Sequence, residues 1–123
     1  MPLLYSIIES PLHPQLSGLY SRSGLTEMQF SSVRKAIQAL KSSPPDVVVA
    51  DFIYGYGNNY AGINISNLDV FLHSLQKYAP ACQVIVLYEK AERQYAQKLA
   101  GLFELHALLE YPVEEAQLAG LLR

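Results

Sequence analysis

Pro45-Asp46-Val47-Val48-Val49-Ala50-Asp51-Phe52 is the stretch on which the reading of this chain turns. Val47–Ala50 is apolar without any alternation. A short continuous apolar run suits a strand buried on both faces, as in a parallel sheet covered by helices. Leu3–Ile8, Val84–Leu87 and Ala107–Leu109 are further apolar runs, and three of the four are rich in β-branched or aromatic residues and do not alternate with polar ones. Thr26-Glu27-Met28-Gln29-Phe30 alternates with period two, the pattern of a half-exposed edge strand.

Helical signals lie between these runs. Ser31-Ser32 caps a helix with Val33, Ala36, Ile37 and Leu40 on one face, and Ser42-Ser43-Pro44-Pro45 stops it. Ser66 and Asp69 have the spacing of a capping box ahead of Leu68, Phe71, Leu72 and Leu75. Glu92 to Phe103 is helical by the spacing of Tyr95, Leu99, Leu102 and Phe103. Pro112 suits a first helical position, with Leu118, Leu121 and Leu122 facing inward. Pro11 to Tyr20 reads as a shorter helix, limited by Pro14 and Gly18. Strand then helix, five times over, implies a parallel sheet with right-handed crossovers. The expected fold is a flavodoxin-like α/β/α sandwich, one domain over residues 1–123, with strand order 2-1-3-4-5.

Composition narrows the partners. The 123 residues are 50% apolar and 16% charged, enough for a real core and too few charges for a disordered chain. A net charge of −2 leaves no basic excess for phosphate backbones, so no nucleic acid partner is expected. The single cysteine, Cys82, excludes an internal disulfide and a cysteine cluster. No apolar run approaches the ~20 residues of a membrane span. The start, Met1 to Glu9, has no basic region and too short an apolar stretch for a signal core. A cytoplasmic protein with no membrane association is expected.

In such folds ligands gather at the carboxyl ends of the strands, beside the switch point between strands one and three. Strand one ends in Ile8-Glu9 and strand three in Asp51. Two carboxylates converging there either hold a divalent cation through oxygen ligands or are simply solvated at the rim.

Pro45 to Phe52 resembles the third-strand motif of response-regulator receiver domains, the CheY-like signalling modules. There a proline-aspartate pair precedes an apolar strand that ends in the phosphoacceptor aspartate. The likeness extends to the element order and to a proline after the last strand, Pro112. It implies that Asp51 stands at the phosphoacceptor position. It also implies a magnesium site in the acids after strand one, but Ile8-Glu9 supplies one acid where the family has two. Weak or absent magnesium binding at Glu9 and Asp51, and no other cofactor, is the expectation. Tyr88 stands where the family has a hydroxyl residue, Tyr111 where it has lysine, and Leu108 where it has an aromatic switch. Removing one preorganised charge partner of a reacting oxyanion costs on the order of 3 kcal/mol, ~100-fold in rate. The resemblance therefore implies a pseudo-receiver, with the fold kept and the phosphoryl switch weak or lost. Lys90, just past strand four, is the alternative cation, though loop lysines are usually solvated. The Tyr88 and Tyr111 rings are expected over Asp51.

Ile53 to Gly62 departs from the family by its length. It holds Tyr54, Tyr56 and Tyr60 with three glycines, read either as a mobile surface loop or as a recognition loop over the Asp51 edge. His13, His73 and His106 are scattered and form no ligand pattern, and Cys82 has no nucleophile's partners. No base–nucleophile pair is present, so no enzyme is expected. The leading expectation is a protein-interaction module of bacterial two-component-type signalling. Its partner would be a histidine kinase, an output domain, another regulator or a second copy, met through the last two βα units. The alternatives are a receiver still phosphorylated on Asp51 and a flavodoxin-like binder of a small ligand.

Overall fold

The computed structural model describes residues 2–54, 66 and 68–122. The strands are β1 (Leu3–Ile7), β2 (Thr26–Phe30), β3 (Val47–Asp51), β4 (Gln83–Tyr88) and β5 (Ala107–Glu110). The helices are α1 (Ser17–Arg22), α2 (Val33–Leu40), α3 (Asp69–Tyr78), α4 (Arg93–Leu102) and α5 (Glu115–Leu121). All strand pairs are parallel, in the order β2-β1-β3-β4-β5 expected from the sequence.

The alternation of strand side chains explains why the apolar runs are continuous. Tyr5, Ile7, Val48, Ala50, Val84, Val86 and Tyr88 pack on one face with α2, α3 and α4. Leu4, Val47, Val49, Ile85 and Leu87 pack on the other with Leu19 and Tyr20 of α1 and Leu118 of α5. Every residue of β3 is buried, whereas β2 at the sheet edge has none fully buried.

Helix starts follow local chemistry. Ser32 Oγ accepts from Lys35 N at 3.3 Å and caps α2. Ser66 donates through its amide and hydroxyl to Asp69 Oδ1 at 2.6 and 2.9 Å, but the expected capping box is not completed: α3 begins at Asp69 itself, and its cap residue, Leu68, makes no side-chain cap bond. Two further expectations are corrected. Residues 10–13 form a turn, with His13 N donating to Ser10 O at 3.2 Å, so α1 begins only at Ser17. Ser at the first and Pro at the second turn position favour this over helix. Pro112 follows a cis peptide bond and lies ahead of α5. That helix is opened instead by Glu114, whose amide donates to Gln117 Oε1 at 2.8 Å in a capping box. Gly24, at φ 78°, takes the left-handed step between α1 and β2 that a side chain would resist.

Among the described residues no helix is long and apolar enough to cross a membrane.

Candidate functional site

The switch point lies where β1 and β3 end side by side, and Asp51 closes β3 there with no exposed surface. A buried carboxylate must have its lone pairs filled. Donors among the described residues do this. Glu9 N and Ser10 N donate to Oδ2 at 2.8 and 2.9 Å. The Tyr111 hydroxyl, delivered by the segment after β5, donates to Oδ1. His13 Nδ1 lies 3.1 Å from both oxygens, its side chain 1% exposed. Tyr111 Oη is also 3.3 Å from that nitrogen, so acid, imidazole and phenol form one closed network.

The turn explains His13. Ser10 Oγ accepts from Leu12 N at 3.1 Å and Ser10 O from His13 N at 3.2 Å, folding the chain back over the strand end. Tyr111 is held by its amide, which donates to Tyr88 O at 2.8 Å.

Electrostatics follow. Burial alone would raise the Asp51 pKa, but the hydrogen bond and charge of His13, the Ser10 amide and the Tyr111 hydroxyl hold it below the usual range. Tyr111 moves the other way: burial, its bond to Asp51 and the Asp51 charge push its phenol far above the ordinary range. Asp51 is thus a carboxylate and Tyr111 a neutral donor.

The remaining sequence candidates divide. Glu9 reaches Asp51 through its backbone amide. Tyr88 does not join Tyr111 over Asp51. Its parity with Val84 and Val86 sends it to the opposite face of the sheet, where it is buried near Phe52. There it interacts with Arg93 and Glu110, an ion pair at 2.6 Å. Leu108 pairs in register with Val86 and packs half-buried against the same cluster. Lys90 is exposed, and its charge acts on Glu110. Tyr54 pairs with Ser66 in an isolated antiparallel bridge and stacks on Tyr95 of α4, ring centroids 3.6 Å apart. Tyr56 and Tyr60 lie outside the described residues. Of the large apolar side chains in the last two βα units, Leu102 is 60% exposed while Leu99 and Leu118 are buried.

A magnesium ion, which the resemblance implies, does not fit the residues present. The Asp51 oxygens are already taken by protein donors. Among the described residues no group of three or more His, Cys, Asp or Glu could hold a metal.

His13 is the residue that sequence reasoning passed over. Its signal was the Ser10-Pro11 pair, a turn signature that places the third following residue back at the strand end.

No protein-family model matches the chain, and no functionally curated protein matches it. Solved structures do. A response regulator receiver domain protein from Clostridium thermocellum aligns at TM-score 0.72 and 20% identity, over 98% of this chain and 89% of that one. A Burkholderia pseudomallei response regulator, solved with a phosphorylated aspartic acid, calcium and citrate, aligns at TM-score 0.71 and 17% identity. That match covers 100% of this chain and 67% of that one. A pilus assembly protein CpaE from Caulobacter crescentus aligns at TM-score 0.64 and 14% identity, over 98% and 90%. The architecture is therefore the CheY-like, flavodoxin-like fold. It is the fold of response-regulator receiver domains.

Proposed function

We propose that this chain is a receiver-like signal-transduction domain of a bacterial two-component-type pathway, with its phosphoryl switch disabled, acting by protein–protein contact. The observation that carries this reading is the occupancy of Asp51, which stands at the phosphoacceptor position of the resemblance. A phosphoacceptor must present an oxygen for attack, and cations must neutralise the charge that gathers during transfer. Here backbone amides, an imidazole and a phenol surround both oxygens. Tyr111 occupies the lysine position, and a neutral phenol supplies no positive charge. Phosphorylation would have to break this network inside the core.

Tyr88 and Leu108 stand at the switch positions, and both are packed into the cluster facing α3 and α4. The hydroxyl that would step toward a phosphoryl group is therefore on the wrong side of the sheet. Magnesium binding at Glu9 and Asp51 is weak or absent for the same reasons.

The interaction role draws on the surface beside the site. An apolar groove of about 450 Å³ runs between Leu12, Ala91, Pro112 and Val113, with Glu89 and Lys90 at its sides. Leu12 is 55% exposed there. The partner is a histidine kinase, an output domain, another regulator or a second copy. Tyr54, which stacks on Tyr95 of α4, is the described residue of the proposed tyrosine recognition element.

The test uses acetyl phosphate with magnesium, and amide NMR with and without beryllofluoride, a phosphoryl mimic. Neither covalent label nor shift change at Asp51, Tyr88 and Leu108 is expected. Labelling of the wild type but not of Asp51→Ala would establish an active receiver instead.

A further inference from the structure

Three buried polar atoms have no hydrogen-bond partner among the described residues: Ser6 Oγ, His13 Nε2 and Tyr20 Oη. They come from β1, the turn after it and α1. Ser6 and Tyr20 are 0% and 1% exposed, and the His13 side chain is 1% exposed. Buried polar atoms in folded proteins are normally paired, so three together call for a partner. The three residues line one cavity of about 60 Å³, which reaches the rim at Glu27 and Gln29.

The orientation of His13 joins this cavity to the site. Nδ1 lies 3.1 Å from both oxygens of Asp51. An ionised carboxylate only accepts, so Nδ1 carries a proton and the opposite nitrogen is the one left over. The rim is braced independently. Ser17 Oγ donates to Glu27 Oε1 at 2.7 Å and accepts from Gln29 Nε2 at 3.3 Å.

We propose that this cavity is a built hydration site, in which water bridges Ser6 Oγ, His13 Nε2 and Tyr20 Oη and carries the Asp51 network to the rim. The size fits. At the roughly 30 Å³ that each occupies in the liquid, the cavity has room for about two waters, and it is too small for an organic ligand. The chemistry fits as well. A buried water needs two to four polar partners, and three of the residues that line this space each carry an unpaired buried atom. Two rotatable hydroxyls and one ring nitrogen demand both donors and acceptors, and water provides each. Asp51 is thus closed toward the apolar groove and wet through His13 toward β2. This holds whether or not the phosphoryl switch is disabled.

The test is a crystal structure of the chain at atomic resolution, with oxygen-17 relaxation dispersion in solution to detect long-lived internal water. Ordered peaks within hydrogen-bond distance of all three atoms are expected. Ser6→Val, which fills the cavity, is expected to abolish the long-lived signal, and Tyr20→Phe to remove one of the waters. A dry cavity, or direct pairing among the three atoms, would overturn the proposal. So would an ion in the same place. The native protein alone decides the matter if either variant fails to fold.

Discussion

Asp46 and Asp51 stand at opposite ends of β3, and each accepts hydrogen bonds from backbone amides at the matching end of β1. Asp46 Oδ2 accepts from Leu3 N at 2.8 Å. Asp51 Oδ2 accepts from Glu9 N and Ser10 N at 2.8 and 2.9 Å. The two acids thus pin the same pair of strands at both ends. Asp46 is exposed, and water can replace it. Asp51 has no exposed surface, so each remaining lone pair needs a protein donor, and His13 and Tyr111 provide them. A pin in water leaves its carboxylate accessible. A pin in the core ties the carboxylate up, and that is the physical argument behind the disabled switch proposed above.

The largest effect should come from Asp51→Ala. It strands two amides, a phenol and an imidazole inside the core. Removing one partner of a buried charged network costs about 3–5 kcal/mol. The urea midpoint at neutral pH should fall accordingly. Asp51→Asn keeps the shape and one acceptor oxygen, and should recover part of that loss. A change in stability below about 1 kcal/mol for the alanine variant would mean that the donors find water, and the contrast with Asp46 would collapse.

Next comes Tyr111→Phe, which deletes one hydrogen bond to a charged group, worth about 1.5–3 kcal/mol. Its pH signature separates it from a packing defect. The phenol's native pKa lies far above its ordinary 10.0. Above pH 10 the unfolded chain loses this proton while the native one keeps it. The unfolded state then binds fewer protons, so stability falls as pH rises. Tyr111→Phe should flatten that alkaline limb, and Tyr5, raised to about 12 by burial, should leave a remainder. Asp51 acts at the other end. Its native pKa lies below its ordinary 3.8, so its contribution is complete above that value and drains as pH falls through the native one. Urea midpoints from acid to alkaline pH, on wild type and variant, read both limbs.

Much of the architecture was legible because burial on both faces of a parallel sheet leaves a plain trace, as in Val47-Val48-Val49-Ala50. Asp51 was legible as the polar stop of that run, and Tyr111 by its place before Pro112. Tyr88 was placed on the wrong face by analogy, although period-two alternation from Val84 and Val86 fixes its side. His13 was lost for a different reason. Its position depends on a turn between elements, and turns have no periodicity to count. Helix spacing in Leu12, Leu16 and Leu19 competed with the Ser10-Pro11 turn, and local turn chemistry won. The site is thus assembled from the parts of the chain where sequence patterns are weakest.

The smallest expected effect sharpens the comparison most. Asp46→Ala removes a hydrogen bond in water, worth about 0.5–1 kcal/mol, because water replaces the lost acceptor. The Leu3 amide should exchange faster with deuterium, since its acceptor is the lost carboxylate. The Glu9 and Ser10 amides, held by Asp51, should be unaffected. At a strand rise of ~3.3 Å per residue, the two aspartates lie roughly 16 Å apart. That exceeds the roughly 7–10 Å beyond which independent sites add within about 0.5 kcal/mol. The double variant Asp46→Ala with Asp51→Asn should therefore lose the sum of the single losses. A larger deviation would mean that β3 transmits strain between its ends, and that the exposed pin helps to set the geometry of the buried one.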